Sequence, residues 1–169
     1  DVYKRQTLHR FDPTSNAFEF YPSKGNPTLH TNPGQDLLID SKGRLWAASL
    51  RSGVYMLEAP HELKEGEIPQ FRNFNYDANN PNSLSNQLSM ILTEGKDGAI
   101  WVGTDAGLNR IDGTDFSITR YLKDDGVIDE KIMALACDES GNIWGSTAGH
   151  GIFQFEPQTE TFSFYNRSD

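Results

Sequence analysis

The sequence predicts an all-β chain of repeated four-stranded antiparallel units, and three observations predict it. The same sentence of residues is written three times. Gly43-Arg44-Leu45-Trp46 leads to Gly53-Val54-Tyr55, Gly98-Ala99-Ile100-Trp101 to Gly107-Leu108-Asn109, and Gly141-Asn142-Ile143-Trp144 to Gly151-Ile152-Phe153. A short apolar run and a turn precede each Trp run. No window shows sustained 3.6-residue periodicity with capping, so essentially no helix is expected. Self-similarity at a fixed interval is the mark of a repeat architecture.

Taken in order, residues 1–6 match nothing downstream and form an unassigned tail. Leu8-His9-Arg10-Phe11-Asp12 lines up with Leu108-Asn109-Arg110-Ile111-Asp112, with Thr7 where later copies carry Gly, so the first unit opens halfway. Phe11 to Tyr21 recurs as Phe155 to Tyr165, two aromatic runs joined by Asp-Pro or Glu-Pro and small polar residues. That pattern reads as a β-hairpin, and Asp112 to Tyr121 is a plainer third copy. The runs before each Trp are Asp36 to Asp40, Leu88 to Leu92 and Ile132 to Cys137. They end in the turns Asp40-Ser41-Lys42-Gly43, Gly95-Lys96-Asp97-Gly98 and Asp138-Glu139-Ser140-Gly141. An Asp opening such a turn bonds backbone N–H two residues on, and the closing Gly supplies positive φ. Gly95 replaces that Asp in the middle copy, so its bond is expected to be missing there.

Each unit thus has strands A (apolar), B (Trp-bearing), C (Gly-led) and D (aromatic-ended). The Trp residues are 55 and then 43 residues apart, and the extra residues of the first interval fall in loops. A period near 43 with four strands per repeat is the signature of β-propeller blades. The expected segments are a half blade plus linker over 7–32 and blades over 33–83, 84–129 and 130–169. About three and a half blades give an open rather than closed ring, whose end faces require further blades of a parent chain. Gly43, Trp46, Gly53, Gly98, Trp101, Gly107, Gly141, Trp144 and Gly151 form the structural motif, with each Trp expected between blades.

Composition narrows the function classes. Of 169 residues, 15 are Lys or Arg and 24 Asp or Glu, a formal charge of -9 that argues against nucleic acid. One cysteine, Cys137, excludes an internal disulfide, and its apolar run makes it a buried small hydrophobe. No run approaches the ~18 apolar residues of a membrane span, so no direct membrane contact is expected. Histidines 9, 30, 61 and 150 are scattered without metal-ligand spacing, so neither metal nor cofactor is expected. Asp124-Asp125 reads as a loop charge pair, and no catalytic constellation stands out.

The pattern Asp-x-x-Gly-x-[Leu/Ile]-Trp followed by Gly-Thr and Gly-Leu resembles the two-component regulator propeller repeat. Asn82-Ser83-Leu84-Ser85 before strand A strengthens the likeness, while Ala48-Ser49 and Ser146-Thr147 depart from the Gly103-Thr104 of the middle blade. The resemblance spans about residues 7 to 165. It implies a periplasmic sensor segment of a hybrid histidine kinase, part of a homodimeric parent that recognises glycan breakdown products through paired propellers. It also implies that kinase chemistry lies in other domains and that this segment is not an enzyme.

In a propeller the B–C turns and D–A linkers share one end, where ligands usually bind. That end would carry Arg51, Asp105, His150, Asn82 and Asn86 as candidate ligand-binding residues for an oligosaccharide, held by guanidinium, carboxylate and amide hydrogen bonds. The plainer reading of each is a solvated turn residue. Two alternatives stand beside the sensor: a fragment of a propeller-fold polysaccharide lyase or glycosidase, and a non-sensing interaction scaffold.

Overall fold

The computed structural model describes residues 8–21, 34–64, 67–122, 125–126 and 131–165. Residues 1–7, most of the first linker, His30 and Asp124 lie outside the described residues. The strands are β1 (Leu8–Asp12), β2 (Ala17–Tyr21), β3 (Asp36–Ile39), β4 (Leu45–Ala48), β5 (Val54–Leu57), β6 (Arg72–Phe74) and β7 (Ser89–Glu94). They continue with β8 (Ile100–Thr104), β9 (Gly107–Ile111), β10 (Ile118–Tyr121), β11 (Ile132–Cys137), β12 (Ile143–Thr147), β13 (Ile152–Glu156) and β14 (Thr161–Tyr165). They form one hairpin, β1-β2, and three antiparallel meanders, β3 to β6, β7 to β10 and β11 to β14, each with neighbours in chain order. The predicted all-β open propeller segment, with strands A to D in each full blade, is therefore what the chain forms. A turn of 3-10 helix, Pro60–Glu62, sits in the long C–D loop of the first blade.

The turns set the registers. Gly43, Gly98 and Gly141 have φ of 78°, 76° and 90°, which the chain reversal between A and B needs. The three short C–D hairpins share one turn, because Asn16, Phe116 and Glu160 all take left-handed φ at its last position (54°, 63° and 53°). Gly107, with φ 111°, leads strand C where a Cβ would lie 2.6 Å from the Tyr121 carbonyl oxygen.

Alternation along the strands divides the core into layers between blades. Leu45 and Ala47 face the β1-β2 hairpin, in a cluster with Leu8, Tyr55, Leu57 and Phe71. Trp46 and Ala48 face the second blade, meeting Leu92, Ile100, Val102 and Ile111. Trp101 and Leu108 point on to Ile132, Ile143, Phe153 and Phe155 of the third. In every blade the Trp of strand B stacks on the last aromatic of strand D: Trp46 on Phe74 (5.5 Å), Trp101 on Tyr121 (5.7 Å) and Trp144 on Tyr165 (5.6 Å). Trp46 and Trp101 are buried between blades as expected, but Trp144 is only half-buried because no described blade follows it. Cys137 is likewise half-buried rather than buried, at the end of β11 beside the turn.

The turn carboxylates do more than close turns. Asp40 Oδ1 accepts from the N–H of Lys42 (3.0 Å) and Arg44 (2.9 Å), and its Oδ2 from Arg44 Nε (2.6 Å) and the Trp46 indole Nε1 (2.7 Å). Asp138 repeats the arrangement with the N–H of Ser140 and Asn142, Asn142 Nδ2 and Trp144 Nε1 (2.8 Å). Burial works against the charge of Asp40, but the Trp46 indole and Arg44 hold its carboxyl below the usual range. The Trp144 indole leads the groups that hold Asp138 at about 2. In the middle blade Asp97 takes a different role, accepting from Ala99 N–H (3.1 Å) and Arg110 (2.6 Å).

Candidate functional site

The B–C turns and D–A linkers meet at one end of the blades. Gly53 N–H donates to Gln87 O (2.9 Å) and Ser89 N–H to Ser49 O (3.0 Å), so the turn carrying Arg51 lies against the end of the second linker. Asp105 N–H donates to Leu88 O (3.2 Å), which brings the turn of the second blade to the same linker. Arg51, Asn86 and Asp105 therefore border one seam. His150 belongs to the next: Ala148 N–H donates to Lys131 O (3.0 Å), and Lys131 Nζ stands 3.5 Å from Asp105 Oδ1. That carboxylate oxygen is buried and accepts no hydrogen bond from the described residues, where Lys131 meets it as an ion pair.

Asn82 is not part of this group. It sits on the outer arm of the linker, beside the D strand of the second blade. There Arg120 donates Nε to Ser83 O (2.6 Å) and Nη2 to Asn80 O (2.8 Å) and Ser83 Oγ (2.6 Å). Farther along, Leu84 is fully buried between the blades, and Ser85 N–H donates to the Oδ1 of buried Asn109 (2.8 Å). Ser85 Oγ lies 2.9 Å from Thr104 Oγ1, closing a polar network behind the linker. The Asn82-Ser83-Leu84-Ser85 segment is thus an anchor: it fixes the loop and fills a seam.

The candidate side chains divide accordingly. Asn86 Oδ1 accepts from Leu88 N–H (2.9 Å), a local turn bond. Arg51 and His150 are exposed, with His150 N–H held by Thr147 Oγ1 (3.0 Å). Asp105 is half-buried. Hydrogen-bonding cation, carboxylate and amide groups on a braced loop end can hold hydroxylated or charged ligands. Lys131 and Arg120 were not singled out from sequence. Lys131 immediately precedes strand A of the third blade, and only the blade stacking brings it to Asp105; Arg120 acts mainly on backbone carbonyls, which leave no sequence signature. Among the described residues no group of three His, Cys, Asp or Glu is placed to hold a metal ion, and no helix is long and apolar enough to cross a membrane.

No protein-family model and no curated protein matches the chain. Solved structures do match its fold. The extracellular domain of BT3049, assigned to a hybrid two-component system of B. thetaiotaomicron, superposes with a TM-score of 0.74 at 17% identity, over 96% of this chain and 22% of that one. The extracellular domain of BT4673, assigned to a one-component system of the same organism, gives 0.74 at 15% identity over 96% and 20%. Virginiamycin B lyase from Staphylococcus aureus gives 0.71 at 14% identity over 98% and 50%. The chain thus spans about a fifth of the two extracellular domains and half of the lyase. These likenesses establish the propeller fold and include extracellular domains of one- and two-component systems among its carriers.

Proposed function

We propose that the chain is a ligand-sensing propeller segment of a hybrid two-component sensor kinase, lying in the periplasm and recognising glycan breakdown products. In this reading the signal passes to downstream domains of a homodimeric parent, and the segment itself catalyses nothing. The observation that carries the reading is the convergence of Arg51, Asn86 and Asp105 on one braced seam, continued by Lys131 toward His150. The fold shared with the extracellular domains of a one-component and a hybrid two-component system supports it.

Further blades of the same parent are part of the proposal. Val54 and Leu108 are fully buried, whereas Ile152, which occupies their place in the third blade, is 50% exposed. Tyr165 is 49% exposed where Phe74 and Tyr121 are 6% and 7%. An apolar face that two blades cover and the third leaves open fits another blade.

The test is a thermal-shift screen of the intact parent against an oligosaccharide library, repeated with Arg51→Ala. A saccharide that raises the melting temperature of the parent and loses its effect in the variant supports the reading. No shift across the library refutes glycan sensing, and release of shortened products would replace it with the lyase or glycosidase alternative.

A further inference from the structure

The two described seams between full blades are built differently at the opposite end, where the A–B and C–D turns lie. Between the first and second blades the seam is sealed. Arg44 donates Nη1 to Gly113 O (2.9 Å) and Lys42 donates Nζ to the same oxygen (2.7 Å). The Phe116 ring, from the C–D turn of the second blade, lies under Arg44 (5.4 Å) and Arg72 (4.2 Å) and beside Trp46 (6.3 Å). Glu94 accepts from both Ser41 N–H and Oγ across the inner strands.

One blade farther on, each sealing group is missing. By register Asp40 becomes Gly95, Arg44 becomes Ala99, Glu94 becomes Cys137, and Phe116 becomes Glu160, which turns aside to accept from Tyr121 OH (3.2 Å). What remains is a cleft of about 700 Å³, lined by Lys96, Asp97 and Trp101 on one side and Ser140, Asn142 and Gln158 on the other. A second hollow of about 470 Å³ adjoins it at Gly95 and Lys96 and reaches Cys137.

Trp101 gives the cleft its chemistry. The Trp46 and Trp144 indoles each donate to a turn carboxylate. Trp101 is 1% exposed, yet its Nε1–H has no acceptor among the described residues. A Cβ built on Gly95, at the edge of the cleft, would stand 2.7 Å from that nitrogen and 2.8 Å from Asp97 Oδ1. Trp101 Nε1–H and the Asp97 carboxylate therefore flank Gly95 at the edge of the cleft, a donor on one side and an acceptor on the other. A ligand oxygen that accepts from this N–H supplies the bond that the Trp46 and Trp144 indoles already make within the protein.

We infer that the turn-end cleft between the second and third blades is a binding site for a neutral polyhydroxylated ligand, a saccharide unit without carboxylates. A hydroxyl can both accept from Trp101 Nε1–H and donate to Asp97, which a carboxylate cannot do. Arg110 pairs with Asp97 at 2.6 Å, and Lys96 and Glu156 balance one another in the lining, so the cleft carries no excess positive charge to hold an acidic sugar. This site is separate from the loop-end seam of Arg51 and Asp105.

The experiment uses the intact protein with ¹⁵N-labelled indoles, titrated with maltotriose, cellotriose and β-1,4-galactotriose, and with trigalacturonate as the acidic probe, each to about 10 mM. At least one neutral trisaccharide should move the Trp101 indole resonance and leave those of Trp46 and Trp144 in place, with trigalacturonate at least about tenfold weaker. Gly95→Asp, Lys96→Ser, Asp97→Lys and Ala99→Arg together copy the sealed turn of the first blade into the second. This variant should lose the response while keeping its thermal melt, and Gln158→Ala on the opposite wall should weaken it without touching the turn. The inference is overturned if no neutral trisaccharide moves Trp101, if trigalacturonate binds as well, or if the sealed, folded variant still responds. A response abolished by Arg51→Ala but kept in the sealed variant would assign the saccharide to the loop end instead.

Discussion

Replacing Asp40 with Ala removes one carboxylate that holds four donors at once. Asp40 is 4% exposed and Arg44 3%, so the guanidinium would stay in place without its counter-charge. Breaking a buried ion pair from one side costs about 3–5 kcal/mol, and an orphaned indole N–H adds about 1 kcal/mol. Two features pull toward the lower end. Arg44 keeps its bond to Gly113 O, and its charge still lies over the Trp46 ring at 5.3 Å. The expected loss is therefore about 3 kcal/mol, which at a urea slope near 2 kcal/mol/M moves the unfolding midpoint down by about 1.5 M. Equilibrium urea denaturation followed by tryptophan fluorescence measures it. The double variant Asp40→Ala/Arg44→Met removes the stranded charge and should recover more than half of the loss, since a well-packed apolar replacement of a buried pair is close to neutral. A single-variant loss below about 1 kcal/mol, or a double variant no better than the single, would refute the claim that the stranded Arg44 charge sets the cost.

Acid should find the same turns. Asp138, held at about 2 chiefly by the Trp144 indole, and Asp40, also held low, have folded-state values below the ordinary 3.8. Their stabilisation is complete above about pH 4 and is lost as pH falls toward about 2. Denaturation curves between those limits should be visibly flatter for Asp138→Asn than for the parent. Gly107→Val forces a branched side chain into φ 111° with its Cβ 2.6 Å from Tyr121 O, and calorimetry should register a loss of about 2 kcal/mol or more. Ile152→Lys places a charge on the open face of the third blade. Light scattering of the 169-residue chain should show less self-association; unchanged scattering would mean that this face does not drive it.

The strands and their order were legible because the repeat aligned them against one another. Three copies of a turn, each closed by Gly, locate strands A and B more securely than propensity could. Even the departures obeyed geometry. Gly103, where a Cβ would lie 2.6 Å from Ile132, faces a large residue, whereas Ala48 belongs to a seam where the position of Ile132 holds Ser89. The turn Asp was read correctly as a backbone acceptor, but its bond to the indole six residues on was not, although that spacing recurs in Asp40–Trp46 and Asp138–Trp144. Trp144 was assigned to an inter-blade core by analogy with its copies; burial is a property of the neighbour as much as of the residue, and its neighbour is not among the described blades.

The candidate site was less legible, for a related reason. Each loop-end residue is an ordinary turn residue in its own blade, and only the stacking of blades shows that Asn86 is spent on Leu88 N–H while Asp105 faces Lys131. The turn-end cleft makes the same point more strongly. Gly95 alone reads as one lost turn bond. Ala99 alone is a common strand residue, and Glu160 alone is a polar turn residue. The three become an opening only because the C–D turn of the third blade lies over the A–B turn of the second, as Phe116 lies over Trp46 one seam earlier. A repeat protein supplies its own control in this respect: a sealed seam beside an open one, built from the same parts, isolates the residues that open it. Drift in a single copy would be expected to leave a misfit somewhere along the seam. Here Glu160 and Asp97 each find new partners, in Tyr121 and Arg110, and the Trp101 indole N–H is left facing the cleft.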